Sequence, residues 1–504
     1  MEIKPNLEEF LKVCEKNNLI VFSYKFFCDY LTPLSIYYQL MKNNTKESFL
    51  LESVEGDEKV SQFSFLGFHP LITIKSKNKG VFLKENKGIK KFSLTTDPLE
   101  VLKSVMKRYK VWPKKSTRFL GGFVGYLSYD FVRFYEPIGK ELEDDINTFD
   151  SYFILPKFLI VFDHLHKQIE IFSFLIIENE NKPSKKNNTL LTKKELYFKE
   201  IKTLEKVMKK ILKPVQLSLL EFHPQNSLKA VSNLKKRDFL KAVEKIKEYI
   251  RNGEAIQVVF SQRFKLEFRG DPFLVYRYLR LLNPSPYMYY LNFRDIKIVG
   301  SSPEMLLRCI NKELITRPIA GTRKRGKNEQ EDELLKKDLL ADPKERAEHI
   351  MLVDLGRNDL GRVAKPKTVT VPIFMKVERF SHVMHIVSEA RAILDKKFDL
   401  FNALRACFPA GTVSGAPKVR AMQIINELEP QRRGIYAGCI GYFSFTNTLD
   451  TCIIIRTIVI KDGYAYVQAG AGIVADSKPE NEYKETVNKA KAQILALRLA
   501  SAKK

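Results

Sequence analysis

The chain has 504 residues, of which 44% are hydrophobic, and a formal net charge of +26. This length exceeds what one hydrophobic core usually holds, and it predicts two domains or one large interleaved unit. The apolar runs are far shorter than the roughly 20 residues that a membrane span needs, and no signal-peptide pattern opens the chain, so we expect no membrane association.

The positive charge raises the alternative of a non-catalytic basic protein that binds nucleic acid. The excess is mostly lysine dispersed among Asn, Glu and Asp, without a zinc finger, an Arg-rich groove motif or an RNA-recognition aromatic pair. We therefore expect a solvated surface and no nucleic-acid partner. The six cysteines are scattered, which predicts reduced thiols and a cytoplasmic location rather than a disulfide framework or a zinc site.

Three regions follow one another along the chain. Residues 1–175 predict short strands and helices. Residues 176–225 contain a polar insert from Ile177 to Thr192, typical of a surface loop and without an assigned function, then a helix from about Lys194 to Leu212 and a connector. In residues 226–495, strands alternate with helices without the strict rhythm of a parallel sheet, which predicts an α+β fold.

Two segments resemble each other, Gly122–Ser128 and Gly438–Ser444. Both predict glycine-bearing strands that pack closely in a sheet. An ancient duplication and a coincidence of two common strand patterns both remain open.

The segment Arg317–Thr322 lies between a predicted strand, Leu306–Ile310, and a charged stretch predicted as helical, Asn328–Val353. Pro318 would stiffen a turn, and Gly321 would let a backbone N–H approach a ligand closely. The segment therefore predicts a loop that can hold a small anion.

Two pairs of glutamates recur at a spacing of three, Glu345 with Glu348 and Glu482 with Glu485. On helices this spacing puts both carboxylates of a pair on one face. Mg²⁺ prefers one or two carboxylates together with water and ligand oxygens. A solvated helix face is the alternative for each pair.

Three polar residues stand in apolar or constrained surroundings. His385 in an apolar run is typical of a core histidine. Arg456 is embedded in an apolar strand-like run, where a guanidinium needs a carboxylate from the fold or from a ligand. Glu304 follows Pro303 in a loop, where its carboxylate could cap a helix.

Taken together, these motifs resemble those of the chorismate-utilising enzymes, and most closely anthranilate synthase component I. The resemblance is densest from about Asn283 to Ala490, and four further segments carry it: Asp342–His349, Asp354–Arg362, Pro409–Lys418 and Gln468–Gly472. It implies a chorismate-binding α+β fold of two interleaved sheet-and-helix lobes. It also implies conversion of chorismate and ammonia to anthranilate and pyruvate, the first step of tryptophan biosynthesis.

The resemblance assigns roles to individual residues. They are catalytic Glu304, His385 and Thr412; substrate-binding Gly321, Thr322, Tyr436, Arg456, Gly470, Ala471 and Gly472; Mg²⁺-binding Glu348 and Glu485; and, for feedback inhibition by tryptophan, Ser53, Pro286, Tyr287 and Met288. Glu304 would be the acid for the leaving hydroxyl and His385 would assist aromatisation. The Gly-Ala-Gly run would form an anion nest.

Two positions indicate which branch of the chorismate-utilising enzymes the chain resembles. Aminodeoxychorismate synthases typically carry Lys where this chain has Ala320, and isochorismate and salicylate synthases carry a water-activating Lys where it has Gln257. Aminodeoxychorismate synthase component I remains the alternative. No cysteine has the setting of a glutaminase nucleophile, so the resemblance implies a separate glutamine amidotransferase subunit, component II, or the use of free ammonium.

Overall fold

The structure is a computed structural model. It describes residues 2–41, 46–54, 62–78, 80–85, 88–92, 97–113, 119–177, 189–215, 217–224, 228–380 and 383–501.

Helices and strands alternate along the described chain. The α-helices are α1 (Leu7–Val13), α2 (Pro33–Met41), α3 (Pro98–Lys107), α4 (Thr189–Ile211), α5 (Lys236–Arg251), α6 (Pro272–Leu282), α7 (Glu329–Ala341), α8 (Pro343–Gly361), α9 (Leu400–Cys407), α10 (Gly411–Ser414), α11 (Lys418–Leu428) and α12 (Pro479–Ala500). The strands are β1 (Ile3–Lys4), β2 (Leu19–Phe27), β3 (Ser48–Glu52), β4 (Phe63–Lys77), β5 (Gly80–Glu85), β6 (Gly88–Phe92), β7 (Val111–Trp112), β8 (Gly122–Leu127), β9 (Ser151–Asp163), β10 (Gln168–Ile176), β11 (Val231–Ser232), β12 (Gln257–Glu267), β13 (Tyr287–Phe293), β14 (Ile296–Ser302), β15 (Met305–Ile310), β16 (Glu313–Thr316), β17 (Ile319–Lys324), β18 (Thr370–Arg379), β19 (Val383–Ile393), β20 (Gly415–Ala416), β21 (Cys439–Ser444), β22 (Leu449–Ile453), β23 (Thr457–Lys461) and β24 (Tyr464–Ile473).

Strands from the two ends of the sequence alternate in one hydrogen-bonded network. The order runs β12, β24, β23, β14, β13, β3, β4, β9, β8, β21, β22, β15, β16 and β19, with neighbours antiparallel. Strands β3, β4, β9 and β8 of the N-terminal part therefore lie between β13 and β21 of the C-terminal part. The expected α+β architecture with interleaved lobes is confirmed.

The two similar glycine segments become neighbouring strands. β8 and β21 pair antiparallel, with Gly125 opposite Gly441. A Cβ on Gly125 would lie 1.9 Å from the carbonyl oxygen of Tyr152, and one on Gly441 would lie 2.0 Å from that of Asp450. The expected close packing of glycine-bearing strands is confirmed, because neither position has room for a side chain.

The charged stretch predicted as one helix forms two helices, α7 and α8. Asp342 ends the first and caps the second, with its carboxylate accepting from the backbone N–H groups of Lys344 (3.0 Å) and Glu345 (3.3 Å). Pro343 occupies the first turn of α8, where its missing N–H costs nothing. In a helix interior the same proline would have broken the backbone ladder, which is why the single-helix prediction was wrong.

Packing of amphipathic helices on the sheet builds the support of the candidate site. α5 buries Phe239, Val243 and Ile246, and these side chains pack in one cluster with Phe260 of β12 and Ala471 of β24. Each such side chain contributes about 1.5–3 kcal/mol through removal of apolar surface from water. Helix α5 thus packs against and supports the paired strands β12 and β24.

In the described residues, no helix is long and apolar enough to cross a membrane. All six cysteines are free thiols, in agreement with the expected absence of a disulfide framework. The helix predicted from about Lys194 is α4. Most of the polar insert lies outside the described residues.

Candidate active site

A cavity of about 560 Å³ opens between the β12–β24 pair, the helices α8 and α12, and the β17–β19 pair. We call it the main pocket. It brings together all of the predicted catalytic, substrate-binding and metal-binding residues except Ala471. Its lining residues all fall between positions 257 and 489.

Glu304 lies at the floor of the main pocket, in the short link between β14 and β15. Its side chain is 7% exposed. Burial raises the pKa of Glu304 to about 8, against the opposing effects of the Thr412 hydroxyl and the Lys489 ammonium group. The carboxyl is therefore protonated at neutral pH and can donate a proton, as the interpretation of Glu304 as an acid requires.

The segment Arg317–Thr322 is not the predicted loop. Its second half is β17, which pairs with β19, and the register shifts between Ala320 and Thr322. Gly321 lies at this bulge with a φ of 69°. The bulge, rather than a turn, supplies the irregular backbone next to the pocket.

His385 of β19 is held by this bulge. Its Nδ1 lies 2.9 Å from the carbonyl oxygen of Gly321 and 3.0 Å from the hydroxyl oxygen of Thr322. Because a carbonyl oxygen only accepts, Nδ1 must donate to Gly321, which leaves Nε2 of a neutral ring as a proton acceptor. Burial lowers the pKa of His385 and the nearby charge of Arg456 lowers it further, against the hydrogen bond to Gly321.

Arg456 does not lie within a strand, as its apolar flanks had suggested. It occupies the link between β22 and β23, with a φ of 52°. The chain changes strand partners here, so the backbone leaves the ladder. Nη1 donates to the carbonyl oxygen of Lys489 (3.0 Å), and no carboxylate in the described residues forms an ion pair with the guanidinium. A half-buried guanidinium with spare donors suits a carboxylate ligand.

The two glutamate pairs both line the main pocket, one from α8 and one from α12. Burial raises the pKa of Glu345, and the neighbouring charge of Glu348 adds to the rise. Burial also raises the pKa of Glu482, to which the charge of Glu485 adds. The pKa shifts come first from burial, which shows that Glu345 and Glu482 do not lie on a fully solvated face, whereas Glu485 is exposed.

This donor set fits Mg²⁺ only in part before a substrate binds. In the described residues no group of three or more His, Cys, Asp or Glu side chains is placed to hold a metal ion. Two carboxylates from different helices, Glu348 and Glu485, suit a cation that takes its remaining oxygens from water and ligand. Lys489 pairs with Glu485 (2.5 Å) and also donates to the carbonyl oxygen of Gly470 (3.0 Å). Glu348 and Glu485 could therefore supply two of the oxygens that such an ion takes, and the others would come from water and ligand.

The run Gly470-Ala471-Gly472 is not an anion nest. It lies in β24, in register with Ser261, Phe260 and Val259 of β12, so its backbone belongs to a strand. Ala471 is fully buried on the side of α5, away from the main pocket.

The two glycines act instead through their lack of a side chain. A Cβ on Gly470 would lie 2.8 Å from the hydroxyl oxygen of Tyr436, and one on Gly472 would lie 2.5 Å from Nε2 of Gln257. The glycines therefore admit both polar groups to the pocket. Burial raises the pKa of Tyr436 to about 12, so its hydroxyl stays a donor.

Sequence reasoning missed several pocket residues. Lys489 follows Glu485 by one helical turn, and that spacing was the available signal. Gln257 entered the sequence analysis only as a position without the lysine of other branches. In the structure its Nε2 donates to Oε1 of Glu348 (3.0 Å), and its own Oε1 is buried without a hydrogen bond in the described residues. Lys344 also lines the pocket.

A separate cavity of about 70 Å³ contains all four residues of the predicted feedback site. We call it the allosteric cavity, after the role that the sequence resemblance predicts for it. It forms where β3 pairs with β13, with Met288 opposite Glu52. The N-terminal part supplies Ser53, whose hydroxyl oxygen is buried without a hydrogen bond in the described residues. Arg308 and Asp450 pair at 2.8 Å along its wall.

Comparison with known proteins places this arrangement in a family. Residues 46–495 match the model of the chorismate binding enzymes. "Anthranilate synthase component 1" of Aquifex aeolicus (strain VF5) is 47% identical over 503 residues, which cover 99% of each chain. The chain belongs to the chorismate-binding enzymes. It is an enzyme of the anthranilate synthase type, as the sequence motifs had indicated.

Further relatives agree with this assignment. "Anthranilate synthase component 1" of Acetivibrio thermocellus is 44% identical over 499 residues, 98% of each chain. The crystal structure of anthranilate synthase component I from Streptococcus pneumoniae TIGR4 matches with a TM-score of 0.74 and 39% identity, over 88% of this chain and 95% of that one. The menaquinone-specific isochorismate synthase MenF from Escherichia coli, at 21% identity over 97% of this chain and 98% of that one, shares the fold with a TM-score of 0.72.

The two positions that narrowed the branch both lie in the pocket of this chorismate-binding enzyme. Ala320 and Gln257 line it, where the resemblance places lysines in other branches. No lysine ammonium group therefore stands at either place. The pocket has a neutral amide and a methyl group there instead.

Proposed function

We propose that this protein converts chorismate and ammonia to anthranilate and pyruvate with the help of Mg²⁺. The observation that carries the proposal is the presence, in one pocket, of a carboxyl at Glu304 whose pKa burial raises, a guanidinium at Arg456 that has no carboxylate partner in the described residues, and two pairs of glutamates. These groups match an acid, a carboxylate binder and a cation site for a dianionic substrate.

Arg456 would bind one carboxylate of chorismate, with the Tyr436 hydroxyl as a second donor. Two N–H donors on a planar guanidinium recognise a carboxylate well. Glu348 and Glu485 would hold Mg²⁺, which when bound supplies positive charge to the other substrate carboxylate. The Gln257 amide fixes the orientation of Glu348.

In the first step, the ammonia nitrogen forms a bond to ring carbon C2, the two ring double bonds shift to C1=C6 and C4=C5, and the bond between C4 and its hydroxyl breaks. Glu304 gives its proton to the departing hydroxyl, which leaves as water, and the new ammonium group loses a proton. A protonated carboxyl in a dry site is the fitting donor, because a hydroxide ion is a poor leaving group.

In the second step, a proton leaves C2 and the bond between C3 and the enolpyruvyl oxygen breaks, so that the ring becomes aromatic. The enolpyruvate takes up a proton at its methylene carbon and departs as pyruvate. His385, with Nδ1 committed to Gly321, has Nε2 available as the base for C2.

Ammonia is the nucleophile that this pocket supports. The amide of Gln257 cannot deprotonate water, and Ala320 has no amine where aminodeoxychorismate synthases typically carry a lysine. In the alternative function, aminodeoxychorismate synthase component I, the product would keep its enolpyruvyl group. Product identity therefore separates the two.

The purified chain should form anthranilate from chorismate, Mg²⁺ and ammonium salts, faster at mildly alkaline pH because only unprotonated ammonia attacks. Anthranilate fluorescence measures the rate. Glutamine should not replace ammonium until a glutamine amidotransferase subunit is added, because the sequence has no glutaminase nucleophile. Sustained turnover of glutamine by the chain alone, or an aminated product that retains the enolpyruvyl group, would contradict the proposal.

Tryptophan would inhibit the enzyme from the allosteric cavity. An apolar wall of Pro286, Tyr287 and Met288 suits an indole ring, and the Arg308–Asp450 pair offers opposite charges to a zwitterion. The hairpin β13–β14 joins this cavity to the main pocket, since Tyr287 pairs with Ser302 only two residues before Glu304. A ligand that shifts this hairpin would displace the acid, which is a coupling between two distinct sites.

Replacing Ser53 by Phe should leave an active enzyme that tryptophan no longer inhibits, because the ring fills the allosteric cavity and reaches no part of the main pocket. The inhibition curve with tryptophan checks this result. Ser53→Ala, which keeps the cavity open, is the matched variant and should remain inhibited. Equal inhibition of the Phe variant and the parent would place the regulatory site elsewhere.

A further inference from the structure

A buried ion pair adjoins the main pocket and takes no part in the steps above. It joins Arg433, in the link between α11 and β21, to Glu429 at the end of α11, and the two side chains are 1% and 3% exposed. Nε donates to Oε2 (2.9 Å) and Nη2 donates to Oε1 (2.7 Å). Because desolvation offsets the attraction, a buried ion pair is often no more stabilising than apolar side chains of the same volume. Its place beside the pocket therefore points to a role other than stability.

Two further hydrogen bonds fix the guanidinium between walls of the main pocket. Nη1 donates to the carbonyl oxygen of Val413 (2.6 Å) in α10, and Nη2 donates to that of Val259 (2.6 Å) in β12. Both valines line the pocket. Together with the two bonds to Glu429, four of the five N–H donors of Arg433 are committed, so the guanidinium cannot turn.

The carboxylate of Glu429 is fixed in the same way. Its Oε1 accepts from the backbone N–H (2.9 Å) and from the hydroxyl (2.7 Å) of Ser261 in β12. The Ser261 oxygen in turn accepts from Nε2 of Gln468 in β24 (2.8 Å), and Gln468 lines the main pocket. The ion pair therefore keeps one orientation relative to both of these strands.

The ring of Tyr436 is the pocket group that this arrangement supports. The guanidinium carbon of Arg433 lies 5.6 Å from the centroid of the Tyr436 ring and 4.7 Å from that of Tyr129, both within the range of a cation–π contact. A cavity of about 20 Å³, lined by Arg433, Tyr436 and Gln468 among others, adjoins the ring. The ring therefore has room to tilt out of its place, and the contact with Arg433 opposes that movement.

We propose that Arg433, locked by Glu429, is a positioning residue for chorismate, because it holds the Tyr436 hydroxyl where the substrate carboxylate binds. This inference rests on the function proposed above. Arg433 does not line the main pocket, so its effect must pass through Tyr436. Loss of the ion pair should weaken binding of the substrate and of the transition state alike, which raises KM and leaves kcat nearly unchanged.

The test replaces the whole ion pair, Arg433→Met together with Glu429→Gln, because removal of one partner alone would leave a buried charge unpaired. The matched control is Lys157→Met together with Glu200→Gln. That pair joins β9 to α4 outside the main pocket, spans 2.7 Å, and has a cation that also donates to a backbone carbonyl oxygen, that of Phe174. Each variant is assayed for anthranilate with saturating ammonium, and the unfolding temperatures are compared.

The KM for chorismate should rise about tenfold in the enzyme with Arg433→Met and Glu429→Gln, as loss of a hydrogen bond to a charged group produces, and kcat should stay within about threefold of the parent. Tyr436→Phe, which removes the hydroxyl itself, should raise KM at least as much. The ion-pair changes added to Tyr436→Phe should raise KM by less than about twofold more, because both act through one hydroxyl. The enzyme with Lys157→Met and Glu200→Gln should match the parent.

Four results would overturn the positioning role: an unchanged KM in the ion-pair variant, a fall in kcat alone, an equal rise of KM in the control, or effects on KM that multiply with those of Tyr436→Phe. If the ion-pair variant does not fold, Arg433→Lys, which keeps the charge without the planar fork, must raise KM in part. Failure of the parent to form anthranilate from ammonium would instead refute the proposed function. Calorimetric titration with chorismate would then still decide the role of Arg433, since the ion-pair variant must bind it more weakly.

Discussion

Replacing Glu304 by Gln will lower kcat by about 10²–10⁴-fold, the range that general acid catalysis supplies. The amide keeps the shape of the side chain but has no proton to give to the hydroxyl that leaves C4. Steady-state rates with saturating ammonium and chorismate measure the effect. Glu170→Gln is the control, because Glu170 also has a pKa raised by burial but lies in β10, outside the main pocket. A loss confined to KM, with kcat unchanged, would make Glu304 a binding residue.

The pH dependence provides an independent test of the same group. An acid works only while protonated, and the pKa of Glu304 is about 8. At a constant concentration of unprotonated ammonia, kcat should therefore fall as pH rises through about 8, and the Gln variant should lack this fall. A parent profile that is flat up to pH 9 would remove Glu304 from the proton transfer.

The stability of the fold should follow the same ionisation with a definite sign. Burial raises the pKa of Glu304 above its ordinary value of 4.5, so the folded state holds the proton more tightly than the unfolded state. This contribution is fully present below pH 4.5 and is lost as pH rises through about 8. Between pH 5 and 9 the parent should consequently lose more thermal stability than Glu304→Gln does.

The second large effect should come from the cation site. Glu348→Gln and Glu485→Gln should each reduce activity to background, because each removes one of the two protein carboxylates proposed for Mg²⁺ and leaves the substrate carboxylate without its counter-charge. Glu480→Gln, on the exposed start of α12 where Glu480 pairs with Lys236, should keep its activity.

Calorimetric titration with Mg²⁺ in the presence of chorismate separates this role from a structural one. The parent and Glu480→Gln should bind the ion, and the two inactive variants should not, while all four proteins unfold at similar temperatures. Full activity of Glu348→Gln or of Glu485→Gln in metal-free buffer would refute the proposed Mg²⁺ site.

The sequence predicted which residues meet in the main pocket better than it predicted their backbone. Glu304 and the two glutamate pairs could be found because a helical spacing of three and a proline-bounded link are local patterns. The loop expected at Arg317–Thr322 and the nest expected at Gly470–Gly472 proved to be strands. Glycines locally suggest turns. Here Gly470 and Gly472 instead leave room for the side chains of Tyr436 and Gln257, which are distant in the sequence and which the sequence alone does not place beside them.

Arg456 shows the opposite failure. Its apolar flanks predicted a strand, yet the chain changes sheet partners at this residue, and only the tertiary arrangement decides where such a change occurs. The order of strands was likewise beyond local patterns, since β3 and β8 pair with strands more than two hundred residues away. The similarity between Gly122–Ser128 and Gly438–Ser444 drew attention to these two strands, although it did not predict that Gly125 would pair with Gly441.

Under the proposed regulation, the β13–β14 hairpin would tie inhibition by tryptophan to catalysis, with a consequence for evolution. Its two ends would serve different ligands, because Tyr287 and Met288 line the allosteric cavity whereas Glu304 follows its last strand. Mutations on the hairpin would then change turnover whenever they change regulation. Among the described residues, the N-terminal part supplies Ser53 to the allosteric cavity, whereas every residue that lines the main pocket falls between positions 257 and 489. Lineages that abandon or retune feedback while keeping full turnover should do so by substitutions in this N-terminal wall, where selection on flux and selection on catalysis act on different residues.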